Sequence, residues 1–270
     1  MNKSQLPIGM FDSGVGGTSI LREVNSLMPN EQIIYLADSK HAPYGNKPPD
    51  KIIELSFKNT HYLLEKGVKL IIVACNTATT NAIDKLRTSF PNTPFIGIEP
   101  AIKPAALSSI NKRIGVLATK GTLSSELFAK TSKRYIENAI EIIEKEGIGL
   151  VEAVESNNLS DPQFISNFRK QLDYFVDAKV DSIVLGCTHY PYLIPLMKSY
   201  LPASIDVIDS GEAVARQTKR ILTENLLLQE NVLTTKPNIE LYTNRDTITL
   251  NALFNHEIRR GLVKVTYLDF

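Results

Sequence analysis

The feature that most constrains the fold of this sequence is a series of short runs rich in Ile and Val, each followed by a stretch with helical spacing. Runs that are apolar on both faces are typical of strands in a covered parallel sheet. The alternation of such strands with helices predicts an open α/β sheet with right-handed crossovers. The predicted strands cover residues 6–11, 32–37, 69–74, 94–98, 113–118, 182–186, 205–208, 239–243 and 262–268.

Helices are predicted between these strands. The stretch 49–66 repeats apolar residues at helical spacing, and Gly67 stands just past its end, where glycine is a usual helix stop. A further helix is predicted near 247–258. Residues 139–143 fit either a strand or the tail of a helix, and both alternatives stay open.

A weak internal repeat divides the chain into two comparable parts. Residues 70–77 read LIIVACNT and residues 182–189 read SIVLGCTH. Each is an apolar strand followed by a small residue, a cysteine and then polar side chains. Self-similarity at about half the chain length indicates two related α/β halves. The ends of their strands would form the walls of a cleft between them.

The charge balance excludes several kinds of partner. Lys and Arg together number 30 and Asp and Glu 29, so no basic excess would attract nucleic acid or an anionic membrane. The first residues lack the apolar stretch of a signal peptide, and no apolar run reaches the roughly 18 residues that a membrane span requires. A cytoplasmic protein with a small-molecule partner is expected. A homodimer is compatible with the sequence, which leaves the oligomeric state open.

The two cysteines, Cys75 and Cys187, each fall at the carboxyl end of a predicted strand, where ligand-facing residues lie in open α/β sheets. In a reducing compartment they are more often thiols than a disulfide. Two are too few for a structural zinc site unless histidines add ligands, and no metal site is predicted. One such cysteine would be interpreted as a small buried hydrophobe. Two in matched contexts, each followed by polar groups, favour a functional pair of thiols.

A glycine-rich turn follows the first strand. Asp12 and Ser13 precede the run GVGG at 14–17, which opens a helix. Glycines allow a ligand to approach closely, and a helix N-terminus favours an anion, a carboxylate as well as a phosphate. The turn matches neither a phosphate loop nor GxGxxG. Asp12 can equally be a helix N-cap.

Two further groups reach the same predicted edge. Tyr44 and Gly45 follow the second strand and offer a hydroxyl and a backbone amide, although the segment is also an ordinary turn. His189 lies next to a cysteine motif, where it can orient Cys187 or act as an acid towards it. The other three histidines lack such a context and are interpreted as surface or structural residues.

Five motifs in order carry a resemblance to a known family: FDSGVGG at 11–17, APYG at 42–45, VACNTA at 73–78, EPA at 99–101 and LGCTHYP at 185–191. Together they closely resemble the glutamate racemase family. The resemblance implies two doubly wound parallel-sheet α/β domains related by pseudo-symmetry, with the active site in the cleft between them. It also implies that the C-terminal segment completes the first domain. The expected domains are therefore 1–98 plus 208–270, and 99–207.

The resemblance also implies an activity and its residues. The family racemises glutamate without pyridoxal or another cofactor and supplies D-glutamate for peptidoglycan. Cys75 is expected to take the α-proton of the D-enantiomer with help from Asp12, and Cys187 that of the L-enantiomer with help from His189. The expected substrate contacts are Asp12, Ser13, Tyr44, Gly45, Asn76, Thr77, Thr188 and His189.

Two stretches depart from the usual pattern of this family. Residues 39–41 read Ser-Lys-His in place of the commoner Thr-Ala/Ser-Arg, and residues 145–149 replace a stretch that contains Cys-Pro. The supporting catalytic glutamate of the family is assigned to Glu155 on a short Val-Glu match, with Glu152 as its rival.

Two thiols suit the chemistry of racemisation. The α-proton must leave one face of the substrate and return on the other, which two fixed bases achieve without moving. Without pyridoxal the carbanion has no electron sink, so donors must stabilise the charge that develops at the α-carboxylate. The candidate donors are neutral: Ser13, Asn76, Thr77, Thr119 and Thr188.

Other functions stay open at this point. An aspartate or hydantoin racemase would share the cysteine pair, although aspartate-type members tend to carry Glu where His189 stands. A small-molecule binding protein would explain the cleft but leave the second cysteine without a role. A redox function is disfavoured because the chain has no CxxC motif.

Overall fold

The computed structural model describes residues 3–137, 139–230 and 238–270. Within these ranges the strands form two separate parallel sheets. The strands are β1 (Ile8–Asp12), β2 (Ile33–Ala37), β3 (Leu70–Val73), β4 (Phe95–Gly97), β5 (Arg113–Ala118), β6 (Glu141–Glu146), β7 (Ser182–Gly186), β8 (Asp206–Ile208), β9 (Ile239–Thr243) and β10 (Val263–Tyr267).

Each sheet is wound in both directions from an inner strand. The strand order is β10-β9-β2-β1-β3-β4 in the larger sheet and β6-β5-β7-β8 in the smaller one. The winding reverses between β1 and β3 in the first sheet and between β5 and β7 in the second. Ligands of open α/β sheets bind at such switch points. The predicted fold class, two doubly wound parallel sheets, is confirmed.

Helices alternate with the strands and cover them. Every residue of β1, β3 and β7 is buried, as expected of parallel strands covered on both faces. Within the described ranges, no helix is both long enough and apolar enough to cross a bilayer. The helices are α1 (Thr18–Leu27), α2 (Pro49–Glu65), α3 (Asn76–Ser89), α4 (Ile102–Ser108), α5 (Lys120–Leu123), α6 (Glu126–Ile136), α7 (Leu150–Glu155), α8 (Pro162–Asp177), α9 (Ile194–Tyr200), α10 (Gly211–Glu224), α11 (Ile248–Leu253) and α12 (Asn255–Arg259).

Two open points of the sequence are resolved. The ambiguous stretch 139–143 leads into β6, so the strand alternative is correct. The single helix predicted at 247–258 is instead the two helices α11 and α12, which meet at Phe254. That ring is buried, and the Arg22 guanidinium lies 4.5 Å from its centre. The break in the helix thus allows a large side chain to turn inward.

The C-terminal segment returns to the larger sheet. β9 pairs with β2 and β10 pairs with β9, while α10 packs against α1. Ile208 still pairs with Val184 of the smaller sheet, so the chain crosses back just after this residue. We propose two domains that follow the sheets, as in the expected 1–98 plus 208–270 and 99–207, except that residue 208 belongs to the second domain because it pairs with the smaller sheet.

A buried ion pair joins four segments of the chain at the amino end of β3. Lys69 Nζ lies 2.5 Å from Glu31 Oε2, and each side chain is only 1% exposed. The ammonium also donates to the backbone oxygens of Ser4 at 2.6 Å and Leu227 at 2.9 Å. Burial lowers the pKa of Lys69, against which the hydrogen bond and charge of Glu31 act.

Candidate active site

The two cysteines end equivalent strands of the two sheets. Cys75 follows β3 after Ala74, and Cys187 follows β7 directly. Both are free thiols and nearly fully buried, at 4% and 7% exposure. β3 and β7 each flank the switch point of their sheet. The two similar segments, 70–77 and 182–189, therefore occupy equivalent positions in two similar sheets.

A small cavity lies between these strand ends. Its walls include every predicted site residue except Asp12 and Glu155. The enclosed volume is about 10 Å³, roughly what one water molecule requires, so a substrate can enter only when the walls separate. The lining residues are Ser13, Pro43, Tyr44, Gly45, Cys75, Asn76, Thr77, Thr119, Val151, Cys187, Thr188 and His189.

Cys75 begins a helix. It is the N-cap of α3, and its sulfur accepts a hydrogen bond from the backbone N–H of Ala78 at 3.4 Å. The thiol donates to Ser13 Oγ at 3.7 Å. Burial, and after it the negative charge of Asp12, raises the pKa of Cys75 well above its usual value. The helix N-terminus favours a thiolate, but burial dominates, and Cys75 is a thiol at neutral pH.

Asp12 is fully buried at the end of β1. Its Oδ2 accepts the backbone N–H of Gly17 at 2.7 Å, and Thr188 Oγ1 lies 3.4 Å from both carboxylate oxygens. The N-cap of α1 is Gly17, so the helix-cap alternative for Asp12 is wrong. Burial raises the pKa of Asp12, while the charge of His189 and the Gly17 hydrogen bond act in the opposite direction.

Cys187 lies at one end of a chain of polar contacts. Its sulfur is 3.7 Å from His189 Nδ1, and His189 Nε2 is 2.6 Å from Glu155 Oε1. A carboxylate only accepts hydrogen bonds, so the Nε2 proton belongs to this contact, and the backbone N–H of Gly16, 3.2 Å from the same nitrogen, then has no acceptor there. Burial opposes the charged imidazolium, but hydrogen bonds to Cys187 and Glu155, with their charges, raise the pKa of His189 well above its usual value.

The two rival glutamates occupy different positions. Glu155 ends α7, and its side chain is 6% exposed. Oε1 also accepts the backbone N–H of Val15 at 2.6 Å, and Oε2 accepts the hydroxyl of Ser39 at 2.9 Å. Glu152 lies in the same helix but is exposed. The geometry therefore supports Glu155, and not its rival, as the partner of His189.

The glycine-rich turn holds protein side chains. The amides expected to receive a ligand anion instead face Glu155, through Val15, and the ring of His189, whose Nε2 is 3.2 Å from Gly16 N. A Cβ on Gly14 would stand 1.9 Å from Glu155 Oε1, and one on Gly16 would stand 2.2 Å from His189 Nδ1. The glycines at 14 and 16 are thus required by close approach to the side chains of Glu155 and His189.

Tyr44 and Gly45 both lie on the cavity wall, but the contacts of the Tyr44 hydroxyl and the reason for the glycine differ from those predicted. The Tyr44 hydroxyl donates to Asp38 Oδ2 at 2.5 Å and accepts from Asn59 Nδ2 at 3.2 Å. It is therefore not the free donor that the sequence suggested. A Cβ on Gly45 would stand 2.7 Å from the Cβ of Thr119, so this glycine allows the two sheets to approach.

Hydroxyl and amide groups line the rest of the wall. Thr77 Oγ1 and Thr119 Oγ1 lie 2.8 Å apart across the two sheets. The amide nitrogen of Asn76 donates to the backbone oxygen of Ile98 at 3.5 Å. Its side-chain oxygen is buried without a hydrogen-bond partner among the described residues. A buried polar atom of this kind requires an explanation, and a donor group on a ligand would provide one.

Several residues of the site carried no signal in the sequence. Ser39 was noted as a departure from the family pattern, but nothing pointed to its bond with Glu155. Pro43 and Val151 line the cavity as apolar wall residues. Among the described residues, no group of three or more acidic, His or Cys side chains is placed to hold a metal ion.

Two parallel α/β sheets whose switch points share one small cavity with two free thiols define a class of enzyme, the amino-acid racemases. The chain belongs to the Asp/Glu/Hydantoin racemase family, whose model matches residues 17–218. The predicted enzyme class, an isomerase that racemises an amino acid, is thereby confirmed.

Relatives and solved structures agree with this assignment. The glutamate racemase of Ectopseudomonas mendocina is 45% identical over 228 residues, 84% of this chain and 86% of that protein. A glutamate racemase isoform of Bacillus anthracis superposes with a TM-score of 0.86 at 26% identity, covering 99% of this chain and 98% of that one. The Escherichia coli glutamate racemase, solved with L-glutamate and the activator UDP-MurNAc-ala, gives 0.84 at 30% identity, with 97% and 98% coverage.

Proposed function

We propose that this chain interconverts L- and D-glutamate without a cofactor, with Cys75 and Cys187 as the acid/base pair. The observation that carries the proposal is the placement of two buried free thiols at equivalent strand ends on one cavity. Each has its own supporting group, a carboxylate for Cys75 and an imidazole for Cys187. A binding protein would need neither thiol.

The surroundings of the two thiols differ, a buried carboxylate near one and an imidazole beside the other, which supports opposite roles. Burial and Asp12 keep Cys75 protonated, so Cys75 is the acid for L-glutamate. Cys187 is then the base, and the imidazolium of His189 is placed to balance the charge that its thiolate carries. For D-glutamate the roles reverse, with Cys75 as base. Fixed groups on both faces remove the need for any base to cross the substrate.

Glutamate is proposed as the substrate from the names of the relatives and from the lining of the cavity. No Lys or Arg stands among the lining residues described above, so neutral donors would hold the carboxylates. Ser13, Thr77, Thr119 and Thr188 offer hydroxyls, and the partnerless oxygen of Asn76 is an acceptor for the α-ammonium. Aimed at the α-carboxylate, such donors stabilise the carbanion where its charge develops.

The biological role follows from the family resemblance. D-glutamate is a component of peptidoglycan, and we propose that this enzyme supplies it for cell-wall synthesis in the cytoplasm. Depletion of the protein in its host would then make growth depend on added D-glutamate.

The function is tested by α-hydrogen exchange. Purified protein, shown to lack bound pyridoxal, is incubated with L- or D-glutamate in deuterium oxide, and deuterium at the α-carbon is measured alongside the loss of circular dichroism of glutamate. We expect both enantiomers to exchange and racemise, and Cys75→Ser to abolish racemisation in a protein that still folds. Full activity in that variant would remove the two-thiol mechanism. Exchange with aspartate alone would identify an aspartate racemase, and no exchange at all a binding protein.

A further inference from the structure

A polar cluster lies at the carboxyl edge of the larger sheet, behind the small cavity that both cysteines line, which we call the thiol cavity. β9 pairs with β2 so that Thr243 stands opposite Ala37, and Asn244 and Asp38 are thus the first residues past two neighbouring strand ends. Both are nearly fully buried, at 4% and 2% exposure. Neither is among the described residues that line the thiol cavity. This edge is where open α/β sheets bind ligands, so the buried amide and carboxylate are placed to act on the site from behind its wall.

Asp38 accepts hydrogen bonds from three side chains. Its Oδ1 accepts from Asn244 Nδ2 at 2.5 Å and lies 2.6 Å from His41 Nδ1, and its Oδ2 accepts the Tyr44 hydroxyl. A carboxylate only accepts, so His41 holds a proton on Nδ1. The other end of the Asn244 amide, Oδ1, accepts the backbone N–H of Lys40 at 2.9 Å. Only this orientation of the amide satisfies both partners, and it ties the turn after β2 to the end of β9 at two points.

His41 is the basic group of this cluster. Among the described residues it is the only basic side chain within ion-pair distance of Asp38. The ammonium of Lys40 lies 3.1 Å from Asp269 instead. Burying a carboxylate is costly unless its oxygens are hydrogen-bonded, and His41 and Asn244 together satisfy Oδ1. The two residues therefore fix the direction in which the carboxyl group of Asp38 faces.

Tyr44 connects the cluster to the wall of the thiol cavity. It lines that cavity and is 1% exposed, while its hydroxyl is held between Asp38 Oδ2 and Asn59 Nδ2. Burial, and after it the negative charge of Asp38, raises the pKa of Tyr44 well above its usual value. The hydroxyl therefore keeps its proton and remains a donor to the carboxylate. A turn of the Asp38 carboxyl group would move the Tyr44 ring with it.

Gly45 leaves little room for such a movement. It lines the thiol cavity next to Tyr44, and a Cβ on Gly121 of α5 would stand only 3.0 Å from the backbone oxygen of Gly45. The segment that carries Tyr44 and Gly45 is thus in close contact with the helix that follows β5 of the other sheet. Its position therefore sets the shape of the thiol cavity.

We propose that Asn244 and His41 are positioning residues for substrate binding that act through Asp38. They hold Tyr44 and Gly45 where this wall meets the bound glutamate. The inference rests on the proposed glutamate racemisation. Neither positioning residue is among the described residues that line the thiol cavity, so neither transfers a proton to or from the substrate. Their loss therefore weakens the binding of glutamate more than it slows the transfer of the α-proton.

Steady-state kinetics from each enantiomer, followed by circular dichroism, separate binding from proton transfer. Asn244→Leu keeps the approximate size of the side chain but removes both of its hydrogen bonds, and His41→Leu removes the N–H that faces Asp38. We expect KM for L- and D-glutamate to rise roughly tenfold in Asn244→Leu and roughly threefold to tenfold in His41→Leu, near the lower end of what a hydrogen bond to a charged group contributes. The value of kcat should stay within about twofold of the wild type, which is the pattern of lost substrate binding.

The disruptive variants have matched controls. His41→Asn places an amide N–H close to the position of Nδ1 and should keep KM within about twofold of the wild type. Lys40→Met removes the exposed ion pair with Asp269 but keeps the backbone N–H that donates to Asn244, so KM and kcat should both be unchanged. Urea unfolding shows whether each variant is folded. If Asn244→Leu does not fold, the test is made with His41→Leu, because the His41 side chain is 26% exposed and its loss is tolerated better.

The outcomes decide for or against the positioning role. An unchanged KM in the folded Leu variants would overturn it, even if kcat or the free energy of unfolding falls, since a merely structural role reduces the amount of active enzyme and not its affinity for glutamate. An equal rise of KM in His41→Leu and His41→Asn would show that the hydrogen bond of His41 has no such role. A wild-type protein that turns over neither enantiomer would instead overturn the proposed racemisation, and the two failures are distinguishable because the first leaves wild-type turnover intact.

Discussion

His189 Nε2 lies 2.6 Å from Glu155 Oε1, and the two side chains are only 1% and 6% exposed. His189 follows β7, while Glu155 ends α7, so the contact depends on the packing of that helix beside the strand end. Removing one partner of a buried charged pair leaves the other charge uncompensated, which is strongly unfavourable. The positive charge of His189 beside Cys187 therefore depends on Glu155.

Glu155→Gln should lower kcat/KM for glutamate by roughly tenfold to a hundredfold, because the amide cannot balance the imidazolium charge that general acid/base catalysis requires. L- and D-glutamate have equal free energies in water, so kcat/KM must fall equally in the two directions. Circular dichroism assays started from each enantiomer measure both values. The matched control is Glu152→Gln, an exposed carboxylate of the same helix, which should stay within about twofold. Equal losses in the two variants would contradict the role of Glu155.

Gly14→Ala tests the close approach of the glycine-rich turn to Glu155. A Cβ at this position would stand 1.9 Å from Glu155 Oε1, so the carboxylate must move and its bonds to Val15 and His189 must lengthen. We expect racemase activity to fall by at least roughly tenfold, since small displacements of catalytic groups have large effects on rate.

Gly67→Ala is the control for Gly14→Ala. Gly67 has a φ of +72° with open space around its Cβ position, so alanine there should destabilise the fold by about 1 kcal/mol and leave kcat unchanged. Urea unfolding and steady-state kinetics on both variants distinguish the two effects. An active Gly14→Ala variant would show that Glu155 can move without consequence.

Local pattern was sufficient to predict most strands of the two sheets, although it left the stretch 139–143 that leads into β6 undecided between strand and helix. β5 and β7 occupy the predicted residues 113–118 and 182–186, because their apolar runs are bounded by polar or small residues. The positions of Cys75 and Cys187 followed from the same pattern, since a residue after a parallel strand must lie at the carboxyl edge of the sheet.

Contacts between distant parts of the chain could not be predicted from the local sequence pattern. Glu155 meets the backbone of Val15 across 140 positions of sequence, and Ser39 meets Glu155 across 116. Neither contact produces a periodicity or a motif, because each depends on how two sheets pack and not on local spacing. The Tyr44 hydroxyl was misjudged for the same reason, since its partner Asp38 becomes visible only in the folded turn.

The raised pKa of His189 predicts how stability depends on pH. In the unfolded chain this histidine loses its proton near pH 6.5, whereas hydrogen bonds to Cys187 and Glu155 let the folded state keep the proton to higher pH despite burial. Protonated His189 thus makes its full contribution to the free energy of unfolding below about pH 6.5. This contribution declines as pH rises towards the folded pKa, by at most about 1.4 kcal/mol per pH unit.

Urea unfolding of the wild type and His189→Gln from pH 6 to 8 measures this contribution. The difference in unfolding free energy between them should shrink as pH rises. The raised pKa of Cys75 has the same sign but acts only above about pH 8.5, where an unfolded thiol ionises. A difference that is constant from pH 6 to 8 would contradict the charged state of His189.

Lys69→Met should reduce the free energy of unfolding by about 3–5 kcal/mol, because it leaves the Glu31 carboxylate buried without its cation. Glu31 is 1% exposed, and its remaining described contact is the backbone N–H of Gln229 at 2.9 Å. The double variant Lys69→Met/Glu31→Leu removes both charges and should recover much of the loss, whereas Lys85→Met, on the exposed face of α3, should change stability by less than about 0.5 kcal/mol.

Catalytic activity should not depend on this ion pair as stability does. The ion pair lies at the amino end of β3, whereas Cys75 lies beyond its carboxyl end. At 25 °C, where each variant is still folded, kcat should equal that of the wild type, and only the temperature at which activity is lost should fall. If Lys69→Met lowers kcat while its fold is intact, the ion pair also influences the position of β3 at the thiol cavity, and its role is not confined to stability.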